Sequence, residues 1–167
     1  MISLLDNLNI REQELISKVV SLNGSMESKD AQINELGIPQ AYKSIHSEYS
    51  NISNSIEALK RAIFIQWYAV AEPITYTGIG SLDKEHEQMN LTRLNKLVLE
   101  KNLDKEFFNM LIYYYSITDW YFNSFINIPE LSRFFIENEN SIVDFYSISN
   151  FNTRGQMGAY WSSLNKH

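Results

Sequence analysis

The sequence contains no cysteine. This absence excludes disulfide bonds, thiolate zinc sites, iron–sulfur clusters and a thiol nucleophile. Only 6 glycines, 3 prolines and 3 histidines occur among its 167 residues. Few residues therefore interrupt regular structure, and few histidines could hold a metal ion. We expect the packing of apolar side chains to provide the stability of the fold.

Long hydrophobic runs are also missing. The longest apolar-dominated stretch, residues 62–71, contains Gln66 and is followed at once by Glu72 and Pro73. A membrane-spanning helix needs about 20 apolar residues, so we predict no membrane partner. The first ten residues include Asp6 and two asparagines, and they lack the basic start and apolar centre of a secretory signal. We therefore expect a cytoplasmic protein.

Positive charge is scarce relative to negative charge. The chain has 20 acidic and 14 basic residues, which gives a formal charge of −6. Nucleic-acid binding depends on basic groups that neutralise phosphates, so we predict no nucleic-acid partner. An acidic surface instead favours encounter with a basic protein.

The composition is that of a globular protein. Apolar residues make up 44% of the chain and charged residues 20%, which argues against disorder. A length of 167 residues matches the roughly 100 to 200 residues that one hydrophobic core serves. We therefore predict one helical domain over residues 1–167.

Apolar residues recur in steps of three and four through the first half of the chain. The positions are Tyr42, Ile45, Tyr49, Ile52, Ile56, Leu59 and Ile63. This spacing predicts one long amphipathic helix over about residues 40–71, ended by Glu72 and Pro73. The apolar stripe has two interpretations, namely packing on the first helix of the same chain or a coiled-coil dimer. We favour the intramolecular seam, because Ser and Asn occupy flanking positions where charged pairs would fix a coiled-coil partner.

A second segment, about residues 105–125, is apolar on nearly every face and predicts a buried aromatic helix. Shorter apolar patterns predict further helices near residues 4–22, 28–36, 82–101, 130–137 and 156–164, whereas residues 142–151 fit either a strand or an irregular segment. The predicted fold is therefore all-α, an irregular bundle of about six helices. A DinB-like four-helix bundle and a fragment of an α-helical repeat are the alternative architectures.

No motif assigns a catalytic residue, a metal or a cofactor. The histidines lack the HxxxH and HExxH spacings, and Glu85, His86 and Glu87 are adjacent residues that face different sides of a helix. These histidines also cannot supply the metal centre of a DinB-like bundle. No serine lies in GxSxG or SxxK. Residues 78–80 read Gly-Ile-Gly without the remainder of a phosphate loop, so they predict a hinge or turn.

Two carboxylates stand beside apolar helices. Glu72 follows the apolar end of the long predicted helix, and Asp119 precedes Trp120 within the aromatic one. Such surroundings could raise their pKa values and pair them as acid and base. The simpler interpretation is structural, because buried tyrosine and tryptophan donors need acceptors. We therefore predict that Glu72 and Asp119 are internal polar anchors.

Three strings rich in tryptophan and tyrosine supply the candidate contact residues. These aromatic groups have apolar bodies and polar tips, so they fit either a core or an interface with a partner, and arginine with tryptophan is a frequent interface pair. The predicted binding residues are Trp67, Tyr76, Trp120, Arg154 and Trp161.

Three functional hypotheses follow. The first is a non-catalytic protein-binding module, such as an acidic inhibitor or immunity-type protein that occludes a basic partner. The second is a small-molecule binder or enzyme, with a pocket between the loop at residues 74–81 and the aromatic helix. The third is a structural homodimer subunit that uses the apolar stripe, so both a monomer and a homodimer remain open.

Overall fold

A computed structural model describes residues 1–125 and 127–165 of the chain. Every regular element in this part is helical, which confirms the all-α class. The α-helices are α1 (Leu4–Ser21), α2 (Met26–Glu35), α3 (Ile38–Asn51), α4 (Ile56–Ala71), α5 (Ile74–Thr77), α6 (Lys84–Leu99), α7 (Lys105–Ile117), α8 (Asp119–Asn123), α9 (Pro129–Asn138) and α10 (Gly155–Leu164). Two short 3-10 helices, Phe145–Ser147 and Phe151–Thr153, occupy the segment that the sequence left open between strand and irregular structure. No helix of the described part has both the length and the apolar character needed to cross a membrane.

The described residues form two compact units. Unit 1 consists of Met1–Glu87 together with the segment that starts at Asn150, and unit 2 consists of Gln88–Ser149. The prediction of a single domain over residues 1–167 stays a prediction.

The predicted long helix over residues 40–71 is two helices, α3 and α4. Helix α3 ends at Asn51, because Ile52 leaves the helical region with φ −83° and ψ 87°. Ser55 then starts α4 by accepting a hydrogen bond from the backbone N–H of Ala58 at 3.1 Å, as an N-cap residue does. The turn brings α4 into contact with α3. The count of helices therefore exceeds the predicted six.

The apolar stripe packs inside unit 1. Its buried members are Tyr42, Ile45, Tyr49, Leu59 and Ile63. Only Ile56, at the first turn of α4, is largely exposed, at 42%. The stripe is thus an intramolecular seam, as we favoured, although it joins two short helices and not one long helix to another element.

The predicted aromatic helix over residues 105–125 is also divided. Helix α7 ends at Ile117, and Thr118 adopts φ −137° and ψ 57° before α8 begins. Side chains of Ser116 and Thr118 bond to the carbonyl oxygens of Tyr113 and Tyr114, and such local bonds compete with the continuation of a helix. Within unit 2, α7 packs against α8, α9 and the first 3-10 helix.

Candidate functional site

A cleft of about 430 Å³ lies beside α5 in unit 1. It coincides with the segment that the sequence identified as the main loop, residues 74–81. Apolar side chains of Val70, Ile74, Ile79 and Leu82 line it. Charged side chains of Glu72, Lys84 and Glu87 complete its lining.

Gly78 fixes the turn between α5 and the cleft-lining residue Ile79. Gly78 ends α5 in the left-handed region, at φ +73°. A Cβ atom at this position would lie 2.6 Å from Ile38 Cγ2 and 2.9 Å from Val19 Cγ2, so only glycine permits this close approach to α1 and α3. The next residue is fixed as well, because Thr77 Oγ1 accepts the N–H of Ile79 at 3.0 Å. The predicted hinge or turn is therefore a packed turn.

The start of α6 follows the cleft-lining residue Leu82 and supplies Lys84 and Glu87 to the cleft. Asp83 Oδ1 caps the start of α6 by accepting the N–H groups of Glu85 and His86 at 3.0 and 3.3 Å. The bond from His86 and then that from Glu85 hold the pKa of Asp83 below its ordinary range. Partial burial raises the pKa of Glu87; the positive charge of Lys84 opposes this rise, and the charge of Asp83 adds to it. The Glu87 carboxylate makes no hydrogen bond or ion pair with any residue that the structure describes.

The chemistry of the cleft follows from its lining residues. A half-buried carboxylate next to apolar side chains suits a cationic group that carries an aliphatic stem. The sequence has no cysteine, and Ser81 is the one hydroxyl side chain among the lining residues of the cleft. Nowhere in residues 1–125 and 127–165 do three metal-ligating side chains of His, Asp or Glu converge.

Three of the five predicted contact residues are buried in unit 1. Trp67 and Trp161 are 1% and 0% exposed, and Trp67 packs edge-to-face against Tyr160 with ring centroids 5.4 Å apart. Arg154 is 5% exposed. Its guanidinium donates two hydrogen bonds to the carboxylate of Glu57, from Nε to Oε1 at 2.8 Å and from Nη2 to Oε2 at 2.6 Å. In this conformation these three side chains are packed in the interior of unit 1.

The other two predicted contact residues are accessible. Tyr76 is 60% exposed on α5, the helix that also supplies Ile74 to the cleft. Trp120 is 58% exposed on α8 of unit 2. The five residues therefore do not form one surface.

The prediction that Glu72 and Asp119 are internal is wrong, because both are exposed. Glu72 lies just past the apolar end of α4, where an extended backbone, with φ −132° and ψ 147°, takes it to the surface. Asp119 is the first residue of α8, and its Oδ1 accepts the N–H of Trp120 at 2.8 Å. Its exposure follows from the break between α7 and α8, which the apolar pattern did not reveal.

The sequence reasoning missed a buried acid, Glu12. It is 1% exposed, accepts the hydroxyl of Tyr49 and accepts the N–H of Gln156 at 2.8 Å. Burial raises the pKa of Glu12 to about 7, although these two hydrogen bonds and the charge of Arg61 act in the opposite direction. A signal was present, because Glu12 shares one helix face with Leu8 and Leu15 at spacings of four and three.

Arg61 extends this buried polar network across unit 1. Its Nη2 donates to the carbonyl oxygen of Thr153 at 2.8 Å, and its Nη1 donates to the carbonyl oxygen of Leu5 at 3.1 Å. Tyr42 donates to the side chain of Gln156 at 2.7 Å. The network joins α1, α3, α4 and the start of α10, so it determines where the last helix docks.

Comparison of the chain with family models, with curated proteins and with solved structures finds no match. The functional interpretation therefore depends on the geometry described above.

Proposed function

We propose that this chain is a non-catalytic protein-binding module that holds a basic segment of a partner protein in the cleft beside α5. The module would act as an inhibitor or immunity-type protein does, by occluding a basic surface of its partner. The observation that carries this proposal is the half-buried carboxylate of Glu87, which lines an apolar cleft and forms no close ion pair in the described part of the chain, although the charge of Lys84 is near enough to lower its pKa.

A lysine or arginine side chain matches this cleft in two ways. Its charged end would pair with Glu87 and Glu72, while its aliphatic stem would pack on Ile74, Ile79 and Leu82. A charge pair that loses water on binding is worth more than one at an exposed rim. The formal charge of −6 also speeds encounter with a basic protein.

Tyr76, on the same short helix as the lining residue Ile74, provides a second contact outside the cleft itself. It is 60% exposed on a four-residue helix that is fixed by Gly78 and Thr77. Tyrosine on a rigid backbone is a frequent source of binding energy, because little conformational entropy is lost when it is covered. A nucleic-acid partner fits the cleft poorly, since its phosphates would face Glu72 and Glu87.

The test is affinity capture from cells of the protein's own source with three forms of the chain. These are the natural sequence, the cleft variant Glu72→Lys/Glu87→Lys, and the control Glu14→Lys/Glu35→Lys. The control makes the same charge change at two exposed residues outside the cleft. We expect the natural and control chains to retain one basic protein at one-to-one stoichiometry. The cleft variant should lose at least tenfold in affinity, which corresponds to about 1.4 kcal/mol.

Retention of the same partner by the cleft variant would contradict the proposal, provided that circular dichroism shows the variant to be folded. Tyr76→Ala is a milder probe, since it removes an exposed side chain and leaves the carboxylates in place. Light scattering of the purified chain distinguishes the third hypothesis, because a stable dimer at micromolar concentration favours a homodimer subunit. A clean monomer that captures no basic protein directs attention to a small-molecule ligand.

A further inference from the structure

The polypeptide leaves unit 1 after Glu87 and returns to it at Asn150. The returning segment leads into α10, which packs on α1 and α4. Three polar contacts fix the start of this helix. They are Arg154 to Glu57 at 2.6 Å, the N–H of Gly155 to Asn9 Oδ1 at 2.8 Å and the N–H of Gln156 to Glu12 Oε2 at 2.8 Å.

The carboxylate of Glu12 packs against Gly155, the first residue of α10. Gly155 has φ +57°, and a Cβ atom there would overlap the Glu12 carboxylate. The carboxylate is therefore covered by the backbone of α10, which helps to leave it 1% exposed. Movement of α10 away from α1 would expose it to water.

The groups that face Glu12 come from every helix around it. Helix α3 contributes the hydroxyls of Tyr49 and Tyr42, and α4 contributes Arg61. Arg11 is the neighbour on α1 itself, where its guanidinium pairs with Glu48 through two bonds of 2.8 Å.

The cations near Glu12 are already engaged by other carboxylates. Arg61 and Arg154 both bind the carboxylate of Glu57. Arg61 reaches the Glu12 cluster through the Tyr49 hydroxyl, at 3.3 Å. Glu12 thus accepts hydrogen bonds from a hydroxyl and one N–H, and these bonds, together with the charges of Arg61 and Arg11, compensate only in part for its loss of water.

We propose that α10 is a proton-dependent clasp, in which docking of the helix over Glu12 takes up one proton from solvent and ionisation of Glu12 loosens the helix. The proton resides on a carboxylate oxygen of Glu12 in the docked state and returns to water when the carboxylate is exposed. The direction agrees with the effect of burial, which raises the pKa of Glu12 from its ordinary value of 4.5 to about 7. Docking is therefore favoured at the acid side of neutrality and weakens as the pH rises through 7.

Hydrogen exchange of the α10 amides measures this linkage. For a carboxyl that titrates near 7 when covered and near 4.5 when open, the docking equilibrium falls about tenfold between pH 6 and pH 8.5. We expect the protection factors of α10, each corrected for the intrinsic exchange rate at that pH, to fall by this factor in the natural chain. Glu12→Gln should abolish the dependence, whereas Glu14→Gln, an exposed change on the same helix, should retain it.

Protection that is constant from pH 6 to 8.5 in the natural chain would overturn the proposal, as would an equal slope in Glu12→Gln. If Glu12→Gln does not fold, a second measurement decides. The carboxyl carbon of Glu12 in the natural protein, labelled with ¹³C, should titrate near neutral pH. Titration near its ordinary value would mean that docking takes up no proton in this range.

Discussion

Replacement of Gly155 by alanine tests the contact between α10 and Glu12 directly. Gly155 has φ +57°, and an alanine Cβ would overlap the Glu12 carboxylate. The carboxylate would have to withdraw, and it would then lose the N–H of Gln156 or the hydroxyl of Tyr49. We expect a large loss of stability from the addition of one methyl group.

The magnitude has two parts. A left-handed backbone at a residue other than glycine costs about 1 to 2 kcal/mol. A buried hydrogen bond that is lost with its partner left behind costs about 1 to 3 kcal/mol more. Gly155→Ala should therefore reduce the free energy of unfolding by about 2 to 5 kcal/mol, with a total near 3 kcal/mol.

Gly37→Ala is the matched control. Gly37 has φ +66°, but nothing lies within 4 Å of the position that its Cβ would take. Gly37→Ala should reduce the free energy of unfolding only by the cost of the left-handed backbone, about 1 to 2 kcal/mol. Urea unfolding of both variants at pH 7, followed by circular dichroism, gives the difference. Equal losses in Gly155→Ala and Gly37→Ala would refute the reasoning, because they would show that the Glu12 carboxylate does not confine α10.

Two further measurements test the charged groups of unit 1. Arg154→Met breaks a pair whose side chains are 6% and 29% exposed, so it should cost about 2 to 3 kcal/mol in urea unfolding. Arg11→Met breaks a pair whose side chains are 35% and 36% exposed, so it should reduce the free energy of unfolding by less than about 1 kcal/mol. A larger loss in Arg11→Met than in Arg154→Met would contradict the conclusion that burial makes the Arg154 pair the stronger of the two. Burial lowers the pKa of His46 from 6.5 to about 4, so its contribution to stability is complete above pH 6.5 and is lost as the pH falls toward 4. Relative to His46→Gln, the natural chain should lose about 2 to 3 kcal/mol between pH 7.5 and 4.5, and parallel stability curves would argue against a neutral buried imidazole.

The helical class was predictable because apolar spacing reports the face of a helix. The same spacing does not report continuity, since Tyr49 and Leu59 keep their places on one seam although a turn separates them. The polar run Ser53-Asn54-Ser55 was the local sign of that turn, and Ser55 is the cap that realises it. Because the apolar spacing continues on both sides of this turn, periodicity alone does not reveal it, whereas a search for N-cap residues does.

Only part of the candidate site was predictable. The segment at residues 74–81 borders a cleft, but all lining residues of that cleft lie between residues 69 and 87, and none belongs to the predicted aromatic helix. Trp67 and Trp161 have the same residue type and helical spacing as an interface tryptophan, yet both are core residues. Only the packing of other helices decides between these outcomes. Glu12 illustrates the limit, because its position on an apolar face was visible, whereas its partner Gln156 lies 144 residues away.

The same separation has a consequence for synthesis. Ribosomes add about 5 to 20 residues per second, so roughly 7 to 30 seconds pass between the emergence of Glu12 and that of Gln156, given 144 intervening steps. During this interval the surface on which α10 docks stays uncovered, so the carboxylate of Glu12 and the hydroxyls of Tyr42 and Tyr49 face water. The contacts between Glu12 and the start of α10 therefore form late, after the whole of unit 2 has left the ribosome.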